Sequence, residues 1–147
     1  MLEESEDNIV KIELLLRSVC FNIKKKGRAI LEDFDISPPQ FDALQYLIND
    51  GGELTIGELS TRLYLAPSTI SDLVDRLEKN LLVKRIRSAE DRRIVNVKVL
   101  EKAYILIQEV VNLRCEYIKK ALEDIDEHKK LEFISCLNIL KDTPSDN

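Results

Sequence analysis

Between Leu82 and Leu100 the apolar residues of this chain stop recurring every three or four positions and begin to alternate. Val83, Ile86, Val95, Val97 and Val99 are β-branched members of that alternation, and the polar run Ala89-Glu-Asp-Arg-Arg93 interrupts it. Period two broken by a short charged segment predicts a two-stranded ribbon, 82–88 and 94–100, with a charged tip. Outside this stretch the period is helical. Ile9, Ile12, Leu16, Val19, Ile23, Ile30 and Phe34 step by three, four or seven, with Gly27 on the same stripe, and predict a long helix over 8–34. Tyr104, Ile107, Val111, Cys115, Ile118 and Leu122 predict a second over 101–123. The fold class is therefore mainly α with a two-stranded β-wing.

Three short helices fit between the first long helix and the ribbon. Pro38-Pro39 stops the first helix, and Ser37 is placed to cap the next, over 39–48. Asn49-Asp-Gly-Gly52 is a turn. Thr55-Ile-Gly-Glu58 has capping-box spacing and opens a helix over 55–63. Pro67 suits the first helical position of another, over 67–79. A last helix over 127–141 precedes Thr143-Pro144. The expected organisation is a winged helix-turn-helix lobe at 37–100, flanked by long terminal dimerisation helices at 1–36 and 101–147. Each long helix has one apolar stripe that a single lobe cannot cover, and a second copy is the natural cover.

Several function classes are excluded at this level. With 147 residues, 44% hydrophobic and 33% charged, the chain can bury a core and keep a charged surface. Only 5% aromatics and four Gly with four Pro argue against sandwiches, propellers and disordered tails. The longest apolar run, Ala103 to Ile107, falls far short of the ~18 residues of a membrane span. The acidic first residues show no apolar signal segment. Cys20, Cys115 and Cys136 have no C-x-x-C spacing, so reduced thiols in a cytoplasmic protein are expected. They and the single His128 supply no closed metal ligand set, so no metal or other cofactor is expected, and His128 is expected at the surface. No nucleophile–base set, paired carboxylates or phosphate loop can be assembled, which excludes an enzyme.

The net charge of −5 conceals a basic island. Residues 54–100 carry nine basic and six acidic side chains, and the other 100 residues carry 13 and 21. Within 79–98 the balance is seven to two. A helix-turn-helix followed by a ribbon suits DNA geometrically, because a helix fits the major groove with its first residues toward base edges. On the helix over 67–79, Ile70, Leu73, Val74 and Leu77 form one face; Ser68, Thr69, Ser71, Asp72, Asp75, Arg76 and Lys79 form the other. Hydroxyls at the start can meet phosphate or base, and Arg76 and Lys79 suit phosphate. Arg92 and Arg93 at the ribbon tip make a cationic finger for a narrow minor groove, with Asp91 as a brace. Asp72 is expected to pair with Arg76, four residues on.

Six linked segments carry a family resemblance: Ser37-Pro-Pro-Gln-Phe-Asp-Ala-Leu44, Gly52-Glu-Leu-Thr-Ile-Gly-Glu-Leu59, Ala66-Pro-Ser-Thr-Ile-Ser71, Leu73-Val-Asp-Arg-Leu-Glu-Lys79, Leu82-Val-Lys-Arg85 and Glu90-Asp-Arg-Arg93. In order and spacing they resemble the MarR-type bacterial regulators, closely over 37–99 and in pattern beyond. The resemblance implies a homodimer that binds double-stranded DNA at a pseudo-palindromic site, a repressor relieved by a small ligand. It puts Ser68, Thr69 and Ser71 on recognition-helix positions, Arg76 on a phosphate position, and Asp91 and Arg93 on the wing's D-x-R. Asn80 stands where the family often has Gly and is expected to take the left-handed conformation. Leu100-Glu-Lys lacks the family's usual hydroxyl cap for the next helix.

A small aromatic or anionic effector is the family's commonest theme. Its pocket is expected where the first long helix, the 39–48 helix and the second long helix meet, with Arg17, Phe21 and Tyr46 as candidates. Cys20 lies beside the apolar stripe and is expected as a buried, inert thiol. The basic run Lys24-Lys-Lys-Gly-Arg28 reads as a solvated helix face. An alternative of a different class is a winged-helix interaction module that uses the ribbon against an acidic partner.

Overall fold

The computed structural model describes residues 2–145, with side chains from residue 6 onward. In chain order the elements are α1 (Leu2–Asp33), α2 (Pro38–Asn49), β1 (Glu53–Thr55), α3 (Ile56–Leu63), α4 (Pro67–Lys79), β2 (Val83–Arg87), β3 (Val95–Val99), α5 (Glu101–Ala121) and α6 (Glu127–Asp142). The chain forms two units, divided between Asn112 and Leu113 within α5.

In the first unit the local caps hold as the sequence predicts. Ser37 Oγ accepts from the Gln40 N–H at 3.3 Å, and Gln40 Oε1 accepts from the Ser37 N–H at 3.0 Å. Thr55 and Glu58 make the same reciprocal pair at 3.0 and 3.3 Å. These boxes satisfy donors that the first helical turn leaves open, which fixes where α2 and α3 begin. α3 ends at Tyr64, whose φ of 53° turns the chain toward α4. Arg62 ties α3 back to Asp50 at the end of α2, 2.7 Å away. The core lies between α2, α3, α4 and the sheet, with Leu44, Leu47, Leu59, Ile70, Val74 and Val97 fully enclosed.

The ribbon is the larger part of a three-stranded antiparallel sheet ordered β1-β3-β2. The sequence pattern alone does not predict β1. It pairs Leu54 with Val97, and Gly51 and Gly52 deliver it with φ of 96° and 94°. A three-residue strand is too short to show alternation; its existence depends on pairing with β3, more than forty residues away. The wing strands are each one residue shorter at both ends than expected, because the Ser88–Ile94 and Leu82–Leu100 pairs close the ribbon outside the regular strands.

After α4 the left-handed residue is Leu81, not Asn80. Asn80 has φ −86° and ψ 7°, and Leu81 has φ 60°. The Leu82 N–H donates to Leu77 and the Leu81 N–H to Glu78, both at 3.0 Å. This is the paired closure that puts the left-handed residue one position past the cap. Leu81 is 65% exposed, so little packing offsets the steric cost of its conformation. Leu81→Gly is expected to stabilise the fold by about 1 kcal/mol, read as a higher urea midpoint at constant slope.

α1 begins six residues earlier than its periodicity indicates. Ile30 is buried at its end, and Gly27 is buried too, but Ile9, Ile12, Val19, Phe21 and Ile23 are exposed. Cys20 is also exposed, contrary to expectation, because this part of α1 lacks a covering element within its unit. In the second unit Asp126 caps α6 by accepting from the Lys129 N–H at 2.8 Å. Leu131, Phe133, Ile134, Leu137 and Leu140 of α6 are exposed. His128 lies at the surface beside Glu132.

Candidate nucleic-acid interface

α4 begins without a side-chain cap: Ala66 precedes it and Pro67 has no N–H to satisfy. Ser68 and Thr69 follow, both exposed, so the positive end of the helix and two hydroxyls face outward together. Ile70, Leu73, Val74 and Leu77 bury the opposite face, which holds α4 firmly on the lobe. Arg76 and Lys79 are exposed further along.

Ser71 differs from its two neighbours. Its hydroxyl and its carbonyl both meet Arg85 Nη2, at 3.2 and 2.9 Å. The expected Asp72–Arg76 ion pair is not among the salt bridges of the described residues. The acids on α4 that do pair are Asp75 and Glu78, and both take Arg85, at 2.6 and 3.2 Å. The reason is reach. Residues 71, 75 and 78 share the edge of α4 that faces β2, and an extended strand brings Arg85 across to it.

The wing tip is organised by Ser88 and Asp91. Ser88 Oγ accepts from the Glu90 and Asp91 N–H groups, both at 3.3 Å, closing a compact turn. Asp91 Oδ1 accepts from the Arg93 backbone N–H at 3.0 Å and from its Nε at 3.1 Å, while Oδ2 accepts from Nη2 at 3.3 Å. The Arg93 side chain, then its backbone N–H, hold the Asp91 carboxyl below its ordinary pKa. Because the shift is downward, the brace is complete at neutral pH and is lost only as the pH falls through the lowered value. Arg93 itself is 92% exposed, so the brace orients a guanidinium that remains open to solvent. Arg92 is exposed beside it.

Sequence reasoning missed two of these residues. Arg85 counted only as one basic residue of an island, although Glu78 seven positions earlier is a signal that a helix and a following strand can be bridged. Ser88 had the turn signature of a hydroxyl two and three residues ahead of two N–H groups.

The three effector candidates do not converge. Arg17 and Phe21 border an open groove of 470 Å³ on α1, with Leu14, Ser18 and Asn22. Tyr46 lines a separate 470 Å³ cleft between α2 and α3, with Asp42, Arg62 and Tyr64. Arg17 is engaged by Glu13 one turn away, at 2.6 Å. A further groove, of 650 Å³, lies elsewhere, where Arg76 and Lys79 face Glu32, Asp35, Ser37 and Gln40. No group of three or more His, Cys, Asp or Glu among the described residues could hold a metal ion. No helix among them is long and apolar enough to cross a membrane.

Comparison with known proteins gives the same picture. The MarR family profile matches residues 34–94, which run from the end of α1 through the wing tip. A Bacillus subtilis protein described as an uncharacterized HTH-type transcriptional regulator, YsmB, is 42% identical over 129 residues, covering 88% of each chain. The structure of a MarR family protein from Bacillus stearothermophilus superposes with a TM-score of 0.81 at 42% identity, over 92% of this chain and 94% of that one. A mutant of Staphylococcus aureus MepR bound to an oligodeoxyribonucleotide shares the fold, with a TM-score of 0.71 at 24% identity over 88% and 94%. A helix-turn-helix with an uncapped second helix, a braced arginine wing and relatives of this likeness leave one assignment: the chain belongs to the MarR family of transcriptional regulators.

Proposed function

We propose that the chain is a homodimeric, sequence-specific DNA-binding repressor whose operator is a pseudo-palindrome. The observation that carries this reading is the combination, on one unit, of an uncapped recognition helix and a braced arginine tip. Ser68 and Thr69 meet bases or phosphates in the major groove. Arg76 meets the backbone. Arg92 and Arg93 enter the adjacent minor groove, where the negative potential is concentrated. Ser71 takes part through its position on α4, with its hydroxyl held by Arg85. Asp91 contributes by orienting Arg93 and not by touching phosphate.

Residues 37–100 form the DNA-binding lobe, and 1–36 with 101–147 form the dimerisation region. Support comes from the exposed apolar side chains of α1 and α6, which a second copy would cover. A two-fold dimer sets its recognition helices about one helical turn, ~34 Å, apart. Such a regulator works in the cytoplasm with its DNA. A small aromatic or anionic ligand relieves repression by favouring a dimer whose helices no longer match that spacing. Tyr46 borders a different groove from Arg17 and Phe21, so a ligand touching all three has to reach both.

Selection of duplexes from a random pool tests the reading. The expected product is an inverted repeat with half-site centres about one turn apart. Recovery of single, unrepeated sites would contradict the dimeric part, and recovery of no sequence would contradict specific binding.

A further inference from the structure

Arg85 links the recognition helix to the wing through a single side chain. β2 is an edge strand, paired only with β3. Ser88–Ile94 and Leu82–Leu100 are bonded pairs, so in the antiparallel alternation the N–H of Arg85 points away from β3. Glu78 Oε2 on α4 accepts that outward N–H at 2.8 Å. The guanidinium adds four further contacts to α4: Asp75 Oδ1 at 2.6 Å, Glu78 Oε1 at 3.2 Å, and the carbonyl and hydroxyl oxygens of Ser71 at 2.9 and 3.2 Å. Its side chain is 25% exposed, against 92% for Arg93. Two carboxylates around one guanidinium leave that spot with a net negative charge, which a phosphate avoids. Arg85 is therefore basic, lies between the two DNA-facing elements, and has its hydrogen-bonding fork turned inward.

We propose that Arg85 is a positioning residue that fixes the angle between wing and recognition helix, and that it sets sequence discrimination without contacting DNA. This rests on the DNA-binding reading above. The lever is long. At ~3.3 Å per residue the end of the ribbon at Ser88 lies roughly 10 Å beyond Arg85, so a rotation of about 10° at the root moves the tip that carries Arg92 and Arg93 by about 2 Å or more. A minor groove is only ~6 Å wide, so that displacement takes the finger out of register with bases held by α4.

The test uses the full chain, with folding and dimerisation checked by circular dichroism and sedimentation. Wild type, Arg85→Met, Arg85→Lys and Arg93→Ala are titrated with the selected operator and with a scrambled duplex over a salt series. Arg85→Met is expected to weaken operator binding about tenfold or more and scrambled-duplex binding by less than about twofold, with an unchanged salt slope. Arg85→Lys keeps the charge but lacks the fork, and is expected not to restore discrimination. Arg93→Ala is expected to lower the slope by about two on both duplexes, about one for each chain of the dimer. A slope lowered by about two in Arg85→Met, about one for each chain of the dimer, would make Arg85 a phosphate contact and overturn the proposal, as would unchanged operator affinity. Should Arg85→Met fail to fold, Glu78→Gln carries the same test. It is expected to lose operator affinity selectively, and a uniform or absent effect would overturn the proposal. A wild-type chain that binds neither duplex would overturn the DNA-binding reading itself, a result distinct from equal binding by wild type and variant.

Discussion

Replacing Ile12 and Val19 together by glutamate is expected to give a folded monomer with operator affinity lowered by about 10²–10⁴, the avidity that linking two half-sites supplies. Both side chains lie on one stripe of α1, seven residues apart, and both are exposed in the single chain. Covering a side chain of this size is worth about 1.5–3 kcal/mol, and a two-fold interface counts each twice. The penalty for burying a glutamate is added to that loss. The lobe is unaffected, because its core uses Ile30 and Leu31 from the far end of α1. Sedimentation equilibrium reads the oligomeric state and fluorescence anisotropy the affinity. A variant that stays dimeric would show that α1 lies outside the interface.

The second large effect belongs to the wing. Arg92→Ala with Arg93→Ala is expected to weaken operator binding by more than about 100-fold, since each chain loses two charged hydrogen bonds at about 1.5–3 kcal/mol apiece. The log–log salt slope should fall by about 0.9 for each phosphate contact removed. Thermal stability should hold, because both side chains are exposed and, among the described residues, the Arg93 side chain bonds to Asp91 at the same tip. Asp91→Ala leaves the charge of Arg93 in place but frees its geometry, so its effect should be smaller and leave the slope intact. A stability loss as large as the binding loss would show the tip to be a structural element instead.

Local chemistry was legible in the sequence, and distant chemistry was not. The caps at Ser37 and Thr55, and the exact span of α4 from Pro67 to Lys79, follow from signals within four residues of each boundary. The brace between Asp91 and Arg93 is equally local, two residues apart. β1 was invisible because its partner is remote in sequence. Leu81 was missed because the closure after α4 is decided by which carbonyls Leu81 and Leu82 can reach, not by which residue best tolerates positive φ. Arg85 was counted as interface charge because composition reports a charge without its partners. Arg17 and Phe21 border a different groove from Tyr46, because periodicity on α1 marks a stripe without saying what covers it.

The most direct test of dimeric DNA binding is the salt dependence of binding to the selected duplex, measured together with its stoichiometry. Two chains per duplex and a log–log slope several units negative are expected, at about −0.9 per phosphate neutralised on each of two half-sites. A slope near zero, or tighter binding to an acidic polypeptide than to the duplex, would contradict it and make the wing a protein-docking element.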